Sequence, residues 1–213
     1  MTAHRWVVGE SPPSSAVDGT PLSERGARTR ARLLEAAEEV FAEHGWQDAS
    51  IVKITEQAGV AQGSFYRYFV SKQAIFDELV TDLNRRVRRA MSEGAARGTT
   101  RAEAERFGFE AFFRFTAEHP ALYRVIRQAE FASPKVFRRH YDRIAQGYIG
   151  ALRSAMDAGE MIEADPELLA YALMGIGEMV GLRWILWEEN RGVPPVLVDQ
   201  MMEFIGRGLG IDS

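Results

Sequence analysis

The stretch from Arg28 to Val80 constrains the fold of this 213-residue chain more than any other segment. Apolar residues recur there at three- and four-residue spacing, which predicts a helix ending at Gly45, followed by two short helices and a long one. Ser50 is a suitable N-cap for the second helix, and Gly59 supplies the backbone freedom that a tight turn into the third requires. This order of short helices around a glycine turn is typical of a helix-turn-helix.

The rest of the chain is also helical in pattern, and no segment alternates with the period of a strand. A fourth helix is predicted from Ser71 to just before Gly94, and five more follow between Ala102 and Gly210. Pro and Gly residues at the expected breaks support these boundaries. The sequence therefore predicts an all-α protein of about nine helices.

Composition excludes several kinds of site. The absence of cysteine removes disulfides, thiolate zinc sites and cysteine nucleophiles. The four histidines lie far apart, and no glycine-rich phosphate loop occurs, so we expect no metal, no cofactor and no catalytic residues. The alternative function from a different class is an all-α enzyme. The polar cluster that comes nearest to a catalytic site, Arg139 to Asp142, is expected to be a solvated helix face.

Two segments bear on cellular location. Residues 1–21 contain three prolines and no apolar run suited to a signal peptide, which predicts a disordered, cytoplasmic tail. Leu168 to Trp187 is nearly apolar over about the length of a membrane span. Glu178 near its middle and Arg183 after it would each cost roughly 2.5–3.5 kcal/mol at a bilayer centre. We therefore predict a helix buried in protein and no membrane partner.

Charge favours the N-terminal part as the segment that binds DNA. Leu22 to Met91 carries eleven Lys and Arg against ten Asp and Glu, whereas residues 92–213 carry fourteen against eighteen. In a helix-turn-helix the second helix enters the major groove, where glutamine and serine can pair with base edges while tyrosine and lysine bind phosphates. The candidate DNA-binding residues are Arg28, Ser50, Lys53, Gln62, Gly63, Ser64, Tyr66, Arg67, Tyr68 and Lys72.

Two motifs carry a resemblance to a known family. The order Arg-Leu-Leu-x-Ala-Ala-x-x-Val-Phe-x-x-x-Gly-Trp, then Ala-Gly-Val-x-x-Gly-x-Phe-Tyr-x-Tyr-Phe-x-x-Lys, resembles the tetracycline-repressor (TetR) family of bacterial transcriptional regulators over Arg28 to Leu79. Three positions depart from the usual pattern. Ala49 and Ala61 stand where Thr or Ser is common, and Thr55 where Ala is common. Ala61 removes an N-cap hydroxyl worth about 1 kcal/mol from the recognition helix.

The resemblance implies a helical ligand-binding and dimerisation domain after the helix-turn-helix. We predict a tail at 1–21, a helix-turn-helix domain at 22–71, a connecting helix at 72–98, and the ligand-binding and dimerisation domain at 99–213. Aromatic residues at helical spacing, with a few polar ones, could line an apolar cavity there. The candidate ligand-binding residues are Phe109, Phe112, Phe113, Tyr123, Arg127, Phe131, Tyr141 and Glu178. For Glu178, a pair with Arg183 across the dimer interface is favoured over a ligand contact.

The two C-terminal helices are predicted to form the homodimer. Leu168 to Trp187 is apolar nearly all round, as a helix buried on two sides requires, and Pro195 to Leu209 would pair with it. A dimer places two recognition helices about one helical turn apart on the DNA, so the double-stranded operator is expected to be palindromic.

The sequence thus predicts a homodimeric repressor that a small hydrophobic effector releases from its operator. The stretch from Pro120 to Glu130 is similar to family members tied to fatty-acid or acyl-CoA metabolism. The sequence is also compatible with another hydrophobic inducer, including a drug-like compound. The alternative function is a helical small-molecule sensor or interaction module without specific DNA binding, which the departures at Ala49 and Ala61 leave open.

Overall fold

The computed structural model describes residues 15–188 and 192–211, and within these ranges it contains nine α-helices and no strand. Most of the predicted tail therefore lies outside the described residues. The helices are α1 (Glu24–Asp48), α2 (Ile51–Gln57), α3 (Gln62–Tyr68), α4 (Lys72–Ala95), α5 (Arg101–Glu118), α6 (Ala121–Ala132), α7 (Pro134–Asp157), α8 (Pro166–Gly181) and α9 (Pro195–Leu209). A π-helical segment, Leu182–Leu186, follows α8 directly. The predicted all-α class with an N-terminal helix-turn-helix is confirmed.

Side-chain caps set several of the helix starts, as the sequence predicted. The Ser50 hydroxyl accepts from the Lys53 N–H at 3.2 Å, and Asp165 accepts from the Leu168 N–H at 2.8 Å. A regular helix cannot continue through Gly45, whose φ of +75° lies in the left-handed region that glycine adopts without strain. Local sequence chemistry therefore determines these boundaries.

The described residues form two compact units. The first comprises residues 15–84 and 121–140, and the second comprises residues 85–120 and 141–211. The sequence-based boundaries put α6 with the C-terminal domain, whereas α6 packs along α1 in the first unit, where Gln128 Nε2 donates to the Phe41 carbonyl at 3.0 Å. The apolar stripe of α6, which includes Val125 and Ile126, is buried there.

An aromatic cluster lies at the centre of the first unit. The ring centroids of Phe41 and Phe76 are 4.9 Å apart at 76°, and the Trp46 ring lies 4.9 Å from Phe76. Phe41 and Phe76 are fully buried. Edge-to-face contacts of this kind add to the stabilisation that apolar burial provides. The cluster joins α1, against which α2 packs, to α4.

His140 was expected on a solvated helix face, and that expectation is wrong. Its side chain is only 6% exposed, and the Asn84 amide nitrogen lies 3.0 Å from its Nδ1 and 2.9 Å from its carbonyl oxygen. Burial lowers the pKa of His140 from 6.5 to about 4, because the charged imidazolium is poorly solvated inside the protein. The imidazole is neutral in the folded protein at neutral pH.

This depressed pKa predicts a loss of stability in mild acid. Between pH 6.5 and about 4 the unfolded chain binds a proton at His140 that the folded chain does not. The free energy of unfolding should therefore fall by roughly 1 kcal/mol per pH unit on account of this group. Urea unfolding at several pH values should show a shallower decline for His140→Gln than for the wild type. Parallel curves for the two proteins would contradict the prediction.

In the second unit α5 is packed by α8, by the π-helical segment and by α9. The sequence predicted that α4 ends before Gly94, but the helix continues to Ala95. The reason is close packing rather than helix termination. A Cβ on Gly94 would lie 2.4 Å from the Phe107 carbonyl oxygen, so glycine is the residue that permits α5 to approach.

The helix from Pro166 to Leu186 was expected to pack on its own domain with one face and on a second subunit with the other, and one face is buried among the described residues. This 21-residue helix is long and apolar enough to span a membrane by length and composition, and 33% of its apolar window is buried. One face, which includes Leu173 and Leu182, is buried in its own unit. The exposed large apolar residues of α8, α9 and the segment between them are Leu168, Tyr171, Met179, Trp187, Val196 and Phe204.

Candidate nucleic-acid interface and effector residues

The turn between α2 and α3 is held by a side chain from α1. The Arg32 guanidinium donates to the carbonyl oxygens of Ala58 and Gly59. Gly59 has φ +60°, and the Val60 N–H donates to the Thr55 carbonyl at 2.9 Å. Because the turn is bonded on both sides, the angle between the two short helices is defined without DNA.

Helix α3 has a buried and an exposed face. Phe65 and Tyr68 are buried, at 0% and 9% exposure, and Phe69 directly after the helix is buried as well. Of the two tyrosines among the DNA-binding candidates, Tyr66 is the exposed one, at 51%. Tyr68 is thus a core residue whose ring does not face solvent.

The exposed face of α3 carries the candidates predicted to read bases. Gln62, Gly63 and Arg67 are exposed, and Ser64 is half-buried. A Cβ on Gly63 would meet no atom within 4 Å, so the backbone of the first helical turn is open to an approaching surface. The structure therefore brings Gln62, Gly63, Ser64 and Tyr66 together on one short helix.

Lys72 has partners within the protein that the sequence did not indicate. Its ammonium group donates to the Trp46 carbonyl at 2.8 Å and to the Ala49 carbonyl at 2.9 Å, and it lies 4.5 Å from the Trp46 ring centroid. Two of the three ammonium hydrogens thus hold the loop between α1 and α2. One donor is left for a phosphate oxygen.

The remaining candidates flank α3. The Ser50 hydroxyl caps α2, and the Lys53 ammonium donates to the Asp48 carbonyl at 3.2 Å, beside that cap. Arg28 lies on the exposed side of α1, 3.4 Å from Glu24. Such exposed pairs contribute little to stability and can be replaced by phosphate contacts. Lys53 and Arg28 are therefore accessible cations.

The three departures from the family pattern have local explanations or consequences. Thr55 is buried, and its hydroxyl donates to the Val52 carbonyl at 2.9 Å, so the extra polar group is satisfied within α2. Ala49, in the loop between α1 and α2, is buried. Ala61 is the N-cap of α3 and makes no side-chain cap bond, which confirms that this hydroxyl contribution is missing.

The predicted effector residues divide between the two units. In the second unit Phe109 and Phe113 of α5 are buried, Phe112 is half-buried, and the Tyr141 hydroxyl donates to Glu178 Oε1 at 2.8 Å. The first unit contains Tyr123, which is buried, Arg127, which is exposed, and Phe131.

Phe131 and Glu178 differ most from expectation. Phe131 is 86% exposed because it lies off the stripe of α6 that packs on α1, so it does not line an enclosed cavity within its unit. Glu178 bonds to Tyr141 within the chain, whereas Arg183, its predicted partner, pairs with Glu188. The predicted pair of Glu178 with Arg183 is one between two subunits, so it stays a prediction beside these contacts within one chain.

The second unit also has a surface pocket between α4 and α5, with a volume of about 180 Å³. Charged side chains, including Arg97 and Arg114, lie beside Phe115 in its lining, and none of the predicted effector residues contributes to it. Drug-sized ligands usually occupy roughly 300–1,000 Å³. This pocket is too small to serve as the predicted effector cavity in its present form.

The known proteins to which this chain is similar are transcriptional regulators. The family model described as "Bacterial regulatory proteins, tetR family" matches residues 33–79. The HTH-type transcriptional regulator YdgC of Bacillus subtilis is 47% identical over 68 residues, which cover 32% of this chain and about a third (35%) of YdgC. The fatty acid metabolism regulator protein of Bacillus subtilis is 25% identical over 184 residues, covering 84% of this chain and 94% of that protein.

Solved structures share the fold beyond the helix-turn-helix. FadR from Bacillus subtilis, in complex with stearoyl-CoA, superimposes with a TM-score of 0.74 at 23% identity, over 84% of this chain and 98% of that one. The fatty acid degradation regulator FadR from Bacillus halodurans gives a TM-score of 0.75 at 21% identity, over 83% and 94%. At these identities the likeness establishes the fold alone.

Proposed function

This chain belongs to the tetR family of bacterial regulatory proteins, which are DNA-binding transcriptional regulators, and from that membership we propose that it is a ligand-responsive repressor acting as a homodimer. Its partners are a palindromic double-stranded operator and a small hydrophobic effector. It acts in the cytoplasm, where the chromosome lies.

The exposed face of α3 is the observation that carries this proposal. Gln62 and Ser64 offer amide and hydroxyl groups suited to base edges, and Gly63 allows the backbone to approach the groove. Tyr66, Arg67 and Lys53 supply groups suited to phosphates around them. A surface that serves only the fold would have no need for an exposed tyrosine beside this polar set.

The exposed apolar face of α8 and α9 supports the homodimer. Trp187 is 59% exposed and Phe204 69% exposed, and both lie in the two elements predicted to pair across a two-fold axis. Contiguous exposed apolar surface of this kind marks interaction sites. When two chains associate, this apolar surface is buried, and the two copies of α3 are positioned to enter adjacent major grooves.

An acyl-CoA is the effector that the comparisons favour among hydrophobic molecules. The relative that covers 84% of this chain is a fatty acid metabolism regulator, and the FadR structure that shares the fold was solved with stearoyl-CoA. Phe109, Phe112 and Phe113 of α5, together with the Tyr141–Glu178 pair of the second unit, are the residues we propose for the effector. Phe131 is not among them.

The effector proposal is tested by competition. Duplex DNA enriched by the purified protein from a random pool is bound to saturation, and stearoyl-CoA is added, with coenzyme A alone as the control. We expect stearoyl-CoA, and not coenzyme A, to release the DNA. DNA that stays bound at saturating stearoyl-CoA would remove long acyl-CoA from the candidates and leave another hydrophobic inducer.

Lys72→Ala tests whether its free donor reaches a phosphate. We expect weaker binding to all duplexes and a salt slope reduced by about one charge, because one phosphate contact is lost. The loop bonds to Trp46 and Ala49 are lost as well, so the melting temperature should fall. Fluorescence anisotropy across a salt series measures the slope. An unchanged slope with a lower melting temperature would assign Lys72 to the loop alone.

A further inference from the structure

The interactions within the recognition helix α3 are too weak to fix its position. It has seven residues, and a helix this short is not stable by itself in water. Its N-cap, Ala61, lacks the hydroxyl that would bond the first turn. Buried Phe65 and Phe69 anchor one side, and Arg32 holds the preceding turn. These contacts leave the carbonyl groups in the last turn of α3 to be bonded from outside the helix.

A segment that precedes α1 holds that end. In the strap, defined here as residues Ser15–Pro21, the Val17 N–H donates to the Arg67 carbonyl at 2.9 Å. The Arg67 carbonyl belongs to the last turn of α3, where helical carbonyls have no partner within the helix. Ala16, next to this contact, is buried at 7% exposure. The strap therefore binds the far end of α3 through a backbone hydrogen bond that lies beside the buried Ala16.

The strap is a turn that is stabilised by its own hydrogen bonds. The Ala16 N–H donates to the Thr20 carbonyl at 2.8 Å, and the Gly19 N–H donates to the Ala16 carbonyl at 3.0 Å. Asp18 Oδ1 accepts from the N–H and the hydroxyl of Thr20, at 3.0 and 2.6 Å. Gly19, at φ +83°, adopts the left-handed backbone that closes the turn. The geometry that presents the Val17 N–H is thus fixed before DNA arrives.

Charge at the strap acts in the same direction. Hydrogen bonds from Thr20, and to a smaller extent the charge of Arg67, hold the pKa of the Asp18 carboxyl below its ordinary value. Asp18 is therefore ionised at neutral pH. Its carboxylate faces the side chain of Arg67, whose carbonyl oxygen accepts the hydrogen bond from the strap. No cation of the strap is available to contact phosphate, because residues 15–21 contain neither lysine nor arginine.

We propose that the strap is a positioning element for sequence recognition, which sets the orientation of α3 in the major groove through the bond from Val17 to Arg67. This inference rests on the proposed function, since it assigns a role within DNA reading. A base-reading helix that tilts loses bonds to the bases first, while phosphate contacts elsewhere persist. Loss of the strap should therefore reduce discrimination between sequences and leave non-specific binding as it is.

The test compares Val17→Pro, which removes the N–H donor, with Val17→Ala, which keeps it and shortens a half-exposed side chain. Ala16→Glu is a second route, because a carboxylate is not accommodated at a buried position. Each full-length protein is titrated with a duplex enriched by the wild type and with a scrambled duplex of the same composition. Hydrogen exchange of the α3 amides is measured without DNA.

We expect Val17→Pro and Ala16→Glu to bind the enriched duplex about fivefold more weakly, the effect of one backbone hydrogen bond, with unchanged scrambled-duplex affinity and salt slope. The α3 amides should exchange faster in both, and Val17→Ala should match the wild type. Wild-type discrimination in Val17→Pro, or an equal loss on both duplexes, would overturn the positioning role. A wild type without preference for any duplex would instead contradict the proposed function. In that case hydrogen exchange still tests the strap: α3 amides that exchange in Val17→Pro at the wild-type rate would show that the strap does not hold α3.

Discussion

Replacing Phe204 by Glu is expected to convert the protein to monomers and to weaken binding to the enriched duplex by about a hundredfold or more. Phe204 is 69% exposed on α9, within the apolar face that we propose is covered by a second copy. A carboxylate buried there without a partner costs several kcal/mol. The two recognition helices would then no longer be linked, and linkage of two binding modules commonly raises affinity by about 10²- to 10⁴-fold.

Phe131→Glu is the matched control for this variant. Phe131 is 86% exposed, but it lies on α6 and outside the proposed interface, so the same chemical change should leave the dimer intact. Sedimentation equilibrium measures the mass of each variant, and anisotropy measures its affinity for DNA. A Phe204→Glu protein that sediments as a dimer and binds the duplex like the wild type would contradict the assignment of the interface to α8 and α9.

Replacing Phe76 by Ala is expected to lower the free energy of unfolding by about 3–5 kcal/mol. The Phe76 ring is fully buried and contacts both Phe41 and Trp46 edge-on, so its removal leaves a cavity between α1 and α4. A loss of this size is a large share of the roughly 5–15 kcal/mol that stabilises a typical protein. Because α2 packs against α1, which contributes Phe41 and Trp46 to this cluster, DNA binding should fail at temperatures where the wild type still binds.

Phe131→Ala serves as the control for stability. The same side chain is deleted at a position that is 86% exposed, and a surface change of this kind should alter the free energy of unfolding by no more than about 0.5 kcal/mol. Urea unfolding followed by circular dichroism gives both values. Equal losses for Phe76→Ala and Phe131→Ala would show that the aromatic cluster does not hold the first unit together.

Local patterns in the sequence predicted the elements well because their causes are local. Ser50 caps α2, Gly59 turns the chain with a positive φ, and Asp165 starts α8, each through atoms within a few residues. Phe65 and Phe69, four residues apart, are both buried, as one apolar face of a helix requires. These features depend on short-range geometry, which a sequence records directly.

Contacts between residues distant in the chain could not be predicted in the same way. Nothing near Lys72 indicates that its ammonium group bonds to carbonyl oxygens 23 and 26 residues earlier. Gly94 resembled a helix end because close packing by α5 and chain termination both favour glycine. His140 resembled a surface residue because its burial depends on Asn84, 56 residues away. The exposed face of α8, which we propose is covered by a second chain, likewise depends on contacts that lie outside its own segment.

The most direct test of a DNA-reading role for α3 is the binding of the purified protein to its own upstream DNA, measured by fluorescence anisotropy across a salt series. A scrambled duplex and a Gln62→Ala variant are run beside it. We expect the wild type to bind a palindromic upstream site at least about a thousandfold more tightly than the scrambled duplex, with steep weakening by salt, and Gln62→Ala to lose part of that preference. Equal binding of the wild type to both duplexes, together with no preference for any sequence enriched from a random pool, would contradict the account.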